Sequence, residues 1–366
     1  MDTISFDLLG VIKTVAIFLA VLSILIAFHE WGHFLVARWS GVRVLTFSIG
    51  FGPKLWRRVA GETEYCVSAI PLGGYVRLFG DDPNEIVEPK DQAQAFLHQS
   101  TGKKLAIVAA GPSFNLLLAF IFFFLLSIGG MPQHAPVLGE VAPDSPAMQA
   151  GLQAGDRVVA VGGEPIRKWE QMTKAVEGRA GLPLELSVLR NGERLTLTVV
   201  PEEVEKPTLP FGEVRRVGQI GVKDGGVFET VRSGPVDALV EGVSMTGHWT
   251  YLTVLSLGKL VQGVVPLKEV GGPILIAQVS AKAAETGLGN LVLFMAIISV
   301  NLAVLNFLPI PVLDGGHILF FLIEAAMGQP LAVRTREIAQ RVGIAVLLML
   351  MLLAFSNDLM RIFSPQ

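Results

Sequence analysis

Four stretches of this chain are long and apolar enough to cross a bilayer, and that constrains the fold before any motif is read. A spanning helix needs ~20 mostly apolar residues. Leu8 to Phe28 qualifies, with Lys13 as its only charge. Leu105 to Ile128 and Gly287 to Leu313 carry no charge at all. Val342 to Phe355 is shorter but strongly apolar, and tilt or flanking turns complete it. Only 17% of the 366 residues are charged, against about 25% in a soluble domain. The net charge of −3 gives no reason to expect a nucleic-acid partner. The single cysteine, Cys66, excludes an internal disulfide and reads as a small apolar strand residue.

Basic residues mark the cytoplasmic side of a membrane. Arg38, Arg43, Lys54, Arg57, Arg58 and Arg77 follow the first span, Lys103 and Lys104 precede the second, and Arg334, Arg336 and Arg341 separate the last two. All fall on one face if both termini point outward. The region between spans two and three is then extracytoplasmic. A fifth apolar stretch, Gly242 to Gly258, is rich in Ser, Thr and Gly. A further span there would put Asp314, at the end of span three, on the face opposite the end of span one, so Pro235 to about Leu267 is expected as an amphipathic helix on the outer membrane surface. The alternative is a fifth span.

Residues 134–203 change character. "DSPAMQAGLQAGDRVVAVGGEPI" reads as a capped short helix followed by paired strands, and "KWEQMTKAVEGRA" as a helix. "LELSVLRNGERLTLTVV" is two alternating strands joined at Asn191-Gly192, a strong hairpin signal. This order resembles a PDZ domain of the circularly permuted bacterial kind, an α/β (α+β) insert. Such domains bind extended peptides by strand addition. The resemblance puts the carboxylate loop near Val137, Leu138 and Gly139. The groove either takes peptides or only filters by size.

The chemistry concentrates in "HEWGH" at the end of the first span. His29 and His33 are i and i+4, so a helix sets both imidazoles on one face. That is the bite of two zinc ligands, and Glu30 beside them is placed to take a proton from metal-activated water. Ionisable groups at membrane depth are expensive and are functional by default. Catalytic zinc takes three protein ligands and keeps one open position. Asp314 in "NFLPIPVLDGGH" lies at matching depth after an uncharged stretch, with Pro309 and Pro311 breaking the helix and Gly315-Gly316 allowing the turn. Broken backbone is tolerated in a membrane where it lines a polar cavity. Asp314 could instead cap the next helix, and His317 is a rival ligand. Asn115 and Asn306, amides inside uncharged helices, either contact a substrate backbone, polarise a scissile carbonyl, or bond between helices.

"HEWGH", "GPSFN" in span two and "NFLPIPVLDGG" in span three together resemble the site-2 protease family of intramembrane metalloproteases, in its bacterial RseP type. The pattern covers essentially the whole chain. It differs from the family's sigma-E-regulating member in having one PDZ domain where that protein has two. The resemblance implies one zinc ion held by His29, His33 and Asp314, with Glu30 as general base and acid. It makes Asn306 and Asn115 substrate-binding residues. It also makes residues 42–80 a membrane-reentrant β element, with Gly73, Gly74 and Tyr75 as candidates to hold an unwound substrate strand.

The expected architecture is a polytopic α-helical membrane protein with four transmembrane helices, a membrane-associated β element and an inserted PDZ domain. Residues 1–133 form an N-terminal membrane half with spans 8–38 and 105–128. The PDZ domain takes 134–203, and extracytoplasmic strands and the surface helix take 204–286. The C-terminal half, 287–366, carries spans 287–313 and 342–357. The expected activity is hydrolysis within transmembrane segments of single-pass proteins in a bacterial inner membrane, such as pre-cleaved anti-sigma factors or signal-peptide remnants. Both termini and the PDZ domain are expected outside, with the active site near the cytoplasmic face. The alternative is a non-catalytic PDZ-bearing adaptor with a structural metal site, which would have no need of Glu30.

Overall fold

The computed structural model describes residues 8–82, 85–208 and 213–363. The extreme termini, expected to face outward, lie outside the described residues. In chain order the elements begin with helix α1 (Leu8–Trp39), the hairpin β1 (Val44–Ala60) and β2 (Thr63–Leu78), and helix α2 (Thr101–Gly129). Short elements follow: β3 (Met131–His134), β4 (Leu138–Val141), α3 (Pro146–Gln149), β5 (Arg157–Val161), β6 (Glu164–Pro165) and α4 (Trp169–Glu177). Then come β7 (Leu184–Arg190), β8 (Glu193–Val199), β9 (Glu202–Thr208), β10 (Glu213–Gln219), β11 (Val222–Asp224) and β12 (Phe228–Val231). The chain closes with α5 (Pro235–Val261), α6 (Pro273–Thr286), α7 (Leu288–Phe307), α8 (Asp314–Met327) and α9 (Val333–Phe363).

Among the described residues four helices are long and apolar enough to cross a membrane: α1, α2, α7 and α9. The protein is therefore a membrane protein with four candidate spans and a β-rich region. It divides into two compact units, one of residues up to Phe124 together with those from Leu239 onward, the other Leu125–Ala238.

In the helical unit, Val21 and Leu25 of α1, Leu118 of α2 and Met295 of α7 form one buried cluster. A second cluster joins Phe34 and Ala37 of α1 to Val44, Leu78, Ile107 and Phe321. It ties the root of the β hairpin to the helix ends that carry the "HEWGH" and "LDGG" motifs. Elsewhere the helices expose their apolar side chains, Leu352 of α9 at 67% for example, as a chain solvated by lipid does.

The β element expected in 42–80 is built of short segments: 46–49 pair with 74–77 on one side and with 64–67 on the other, and 54–60 pair with 63–68. Gly50 and Gly52, with φ of +92° and +86°, lie in the turn between 46–49 and 54–60. Two expectations need correction here. Helix α9 is longer than the expected 342–357, because the polar segment before it continues the helix. Second, α5 does not lie flat over the span ends. Gly242 packs on Phe120 and Phe124 of α2, and the Thr253 hydroxyl donates to Asn301 Oδ1 at 2.7 Å. Asn301 is about 20 Å along α7 at 1.5 Å per residue, so α5 runs down the side of the spans. Its Ser, Thr and Gly residues are what close packing between helices in lipid uses.

The β-rich unit has its own core, including Leu138, Leu152, Val158, Met172, Leu186 and Ile220. Its largest sheet has the order β6-β5-β7-β8, with the expected hairpin at Asn191-Gly192 between β7 and β8. The fold continues past the expected boundary at residue 203. Ile220 is a core residue at 3% exposure and β11 pairs with β4, so residues 220–224 belong to this domain.

Candidate metal centre

The "HEWGH" turn lies within α1, and His29 and His33 project from one face with ring centroids 4.9 Å apart. Asp314 arrives from the other end of the chain. Helix α7 stops at Phe307, the backbone turns through Leu308–Leu313, and Asp314 opens α8. Leu313, not Asp314, is the N-cap of that helix, so the carboxylate is free for other work. The turn is tight: a Cβ on Gly315 would lie 2.2 Å from the Leu308 carbonyl oxygen, and one on Gly316 would lie 2.3 Å from that of Ile310. Only glycine fits at either position.

Three donor atoms converge. His29 Nε2 is 3.2 Å from His33 Nε2 and 3.1 Å from Asp314 Oδ2, and His33 Nε2 is 3.5 Å from Asp314 Oδ1. A tetrahedron with metal–donor distances of about 2.1 Å has edges of about 3.4 Å, so the spacing is that of three corners around one ion. The protons agree with this. His33 Nδ1 donates to the Ile107 carbonyl at 2.8 Å, which leaves the Nε2 lone pair facing inward. Asp314 Oδ2 is buried with no hydrogen-bond partner. Lone pairs facing one another are repulsive until a cation sits between them. Two imidazoles and a carboxylate are a zinc donor set, and they fit one ion. Among the described residues this is the only such group of three, and His317 is not in it.

Glu30 sits one residue from His29 on α1 and has Gly74 of β2 packed against its side chain. A Cβ on Gly74 would lie 2.9 Å from Glu30 Cγ. Gly73 packs on the Phe51 ring, which stacks on Tyr75 with centroids 6.1 Å apart. Gly73, Gly74 and Tyr75 thus lie beside the site. Asn306 is half-buried on the last turn of α7.

Asn115 is 1% exposed and its amide Nδ2 lies 3.2 Å from His29 Nδ1, behind the imidazole. Sequence reasoning passed over Gly111, one helical turn earlier in the same "GPSFN" motif. A Cβ there would lie 2.3 Å from His33 Nε2 and 2.7 Å from His29 Nε2. The i, i+4 spacing of Gly111 and Asn115 was the available signal. Pro112 removes one ladder donor from α2 in the same turn.

In the β-rich unit, Leu138 is core, and Gly139, next to Val137 and Leu138, packs on the backbone of Asp224 and Gly225. A groove of this unit runs between α4 and Gly218–Val222, lined by Trp169, Met172, Val176 and Ile220. The phrase "VGQIGV", apolar residues flanking two glycines, carried that signal in the sequence.

The profile of Peptidase family M50 matches residues 17–350. The chain belongs to that family. Among its relatives are two proteins with zinc-metalloprotease names. That of Rhizobium meliloti is 39% identical over 365 residues, covering 96% of this chain and 97% of the relative. That of Agrobacterium fabrum is 40% identical over 356 residues, covering 93% and 94%. The regulator of sigma-E protease RseP of Escherichia coli is 34% identical over 457 residues, covering 97% of this chain and all of the relative. This M50 peptidase is therefore a zinc metalloprotease of the site-2 protease type in a bacterial membrane, and the adaptor alternative is set aside.

Proposed function

We propose that this M50 peptidase cuts within the transmembrane segments of single-pass membrane proteins once those segments unwind locally, with His29, His33 and Asp314 as the zinc ligands and Glu30 as proton carrier. The observation that carries this reading is the convergence of three lone-pair donors, with a carboxylate from the same helical turn beside them, next to β2. When bound, zinc supplies Lewis acidity toward a water and the scissile carbonyl. Glu30 takes the proton of the attacking water and delivers it to the leaving amide nitrogen. A helical substrate hides its amides in its own hydrogen bonds, so the bond to be cut must be presented in an extended stretch. The β2 edge near Gly73, Gly74 and Tyr75 supports binding by strand addition, and Asn306 is assigned to the substrate backbone. The deciding experiment is Glu30→Gln assayed on a single-pass reporter in membranes. Zinc content should be unchanged and cleavage should fall by ~10² to 10⁴. Wild-type-like cleavage would reject Glu30 as the proton carrier.

The substrates proposed are anti-sigma factors trimmed by an earlier cut and signal-peptide remnants. The residence proposed is the inner membrane, with the termini and the β-rich unit outside and the site near the cytoplasmic face. The distribution of Arg38, Lys103, Lys104, Arg334 and Arg336 supports that orientation.

The β-rich unit is proposed to be a single PDZ domain that screens substrates. The alignment to the Escherichia coli relative is 457 residues long against 366 here, which leaves room for a second domain in that protein alone. Replacing residues 137–224 by a short flexible linker should keep zinc bound and permit cleavage of a reporter whose outer domain is intact. Unchanged selectivity after the deletion would remove the screening role.

A further inference from the structure

We infer that Asn115 is a positioning residue for the metal centre: its amide oxygen accepts the Nδ1 proton of His29 and so directs the Nε2 lone pair of that ring to zinc. The inference rests on the reading of His29, His33 and Asp314 as ligands, and it concerns what stands behind one of them.

A neutral imidazole carries one proton on its two nitrogens, and the partner of one nitrogen decides the state of the other. For His33 the matter is settled by a carbonyl, which can only accept: Ile107 O takes the Nδ1 proton at 2.8 Å. For His29 the atom 3.2 Å from Nδ1 is the amide Nδ2 of Asn115, while Asn115 Oδ1 is buried with no partner; turning the carboxamide by 180° exchanges the two ends, so it can do either. If the NH2 end donated to Nδ1, the proton would reside on Nε2. That nitrogen faces His33 Nε2 at 3.2 Å and Asp314 Oδ2 at 3.1 Å, and a proton there would block it as a ligand. If the oxygen faces Nδ1, both rings present lone pairs and all three donors are ready. The two ends of a carboxamide are isosteric, so the chemistry of the ring it touches fixes its sense.

The rest of α2 is arranged to hold this contact. The Ser299 hydroxyl of α7 donates to the backbone carbonyl of Asn115 at 2.7 Å, fixing that residue between helices. Gly111 brings α2 close enough for an asparagine, a short side chain, to reach the ring. Gly32 does the same from α1, where a Cβ would lie 2.6 Å from the Ala110 carbonyl oxygen. Among the described residues, no other side chain hydrogen-bonds to His29 Nδ1.

The test is zinc affinity of the full-length protein in detergent, by competition with a chromogenic chelator at fixed pH. The thermal transition of each apo variant is recorded beside it. Asn115→Leu keeps the size and removes the acceptor, and it should weaken zinc by ~10- to 100-fold, as loss of a partner behind a ligand does. Asn115→Asp keeps an acceptor and loses the donor, and it should hold zinc within tenfold of the wild type. The cobalt-loaded Asp variant should keep the wild-type visible spectrum. A folded Leu variant with zinc affinity within twofold of wild type overturns the inference. So does a folded Asp variant that loses more than tenfold, since that is the result expected if the amide donates. If the Leu variant does not fold, the Asp variant alone decides. His33→Ala separates the two levels of argument. If it retains zinc, the ligand assignment itself has failed. If it loses zinc while Asn115→Leu does not, only the role of Asn115 has failed.

Discussion

Gly111→Ala tests how closely α2 must approach the metal centre. The added Cβ would lie 2.3 Å from His33 Nε2, 2.6 Å from His33 Cε1 and 2.7 Å from His29 Nε2. Ordinary contact between such atoms begins near ~3.4 Å, so helix and rings must part by about 1 Å, while a metal site tolerates only about 0.2 Å in its ligand distances. The rings cannot retreat cheaply. His33 is tied to the Ile107 carbonyl and His29 to Asn115, both on the helix that carries the new methyl. Overpacking of this kind costs about 1–3 kcal/mol, which is ~5- to 150-fold in zinc affinity if the strain falls on the loaded site. Zinc content and chelator competition on the purified protein would measure it. Gly129→Ala is the control, since it lies in the same helix and its Cβ would meet nothing within 4 Å. A Gly111→Ala protein that binds zinc within twofold of wild type would refute the close-approach argument.

Two further outcomes follow from the geometry. Asp314→Ala should strip zinc from the purified protein while His317→Ala retains it, and elemental analysis of both would show it; full zinc in the first would reopen the third-ligand assignment. In the β-rich unit, burial works against the charge of Asp156, but two hydrogen bonds from Arg190 and one from the Gln153 N–H hold its carboxyl below the ordinary range. A carboxyl depressed in the folded state stabilises fully above its unfolded pKa of ~3.9, and that contribution is lost as pH falls through the folded value. Hydrogen exchange in β5 and β7 should therefore be level from pH 5 to 7, after correction for intrinsic rates, and should rise below about pH 4. Asp156→Asn should remove the pH dependence and cost about 1–3 kcal/mol at pH 7. An acid limb as steep in the variant as in the wild type would refute the assignment.

What the sequence made legible was whatever depends on local periodicity. His29 and His33 share a face because a helix repeats every 3.6 residues, and that holds wherever the helix goes. Asp314 was reachable because depth along two spans can be counted from their lengths and the charges that flank them. Asn115 was found as a polar residue in an apolar helix, but its contact with His29 was not legible. Which side chain faces it depends on the distance between α1 and α2, set by Gly32 and Gly111 in three dimensions. The groove beside α4 was not legible for a related reason. Residues 218–222 are remote in sequence from the strands they complete, and only the pairing of β11 with β4 shows that they belong to the domain.

Helix α5 shows where counting spans misleads. Keeping Asp314 on the same face as "HEWGH" leaves no room for a fifth full span, and that argument assigns α5 to the surface. Its Ser, Thr and Gly residues are what a helix uses to pack against other helices in lipid. Gly242 admits the Phe120 ring, and Thr246, Thr250 and Ser256 each donate to the carbonyl one turn back, which pairs their hydroxyl protons. Thr253 also meets Asn301 of α7. The asparagine gains a partner it could not find in hydrocarbon, and α5 gains a fixed register against the span that leads to Asp314. At its far end the chain is held again, by Asp358 of α9. That carboxylate accepts from the N–H groups of Gly272, Ile274 and Leu275 at the start of α6. A helix N-terminus with three donors satisfied by one buried carboxylate is a charge-assisted contact between elements 83 or more residues apart in sequence. The segment between the β-rich unit and the third span is thus fastened to α2, α7 and α9 by polar contacts that a hydropathy profile cannot register.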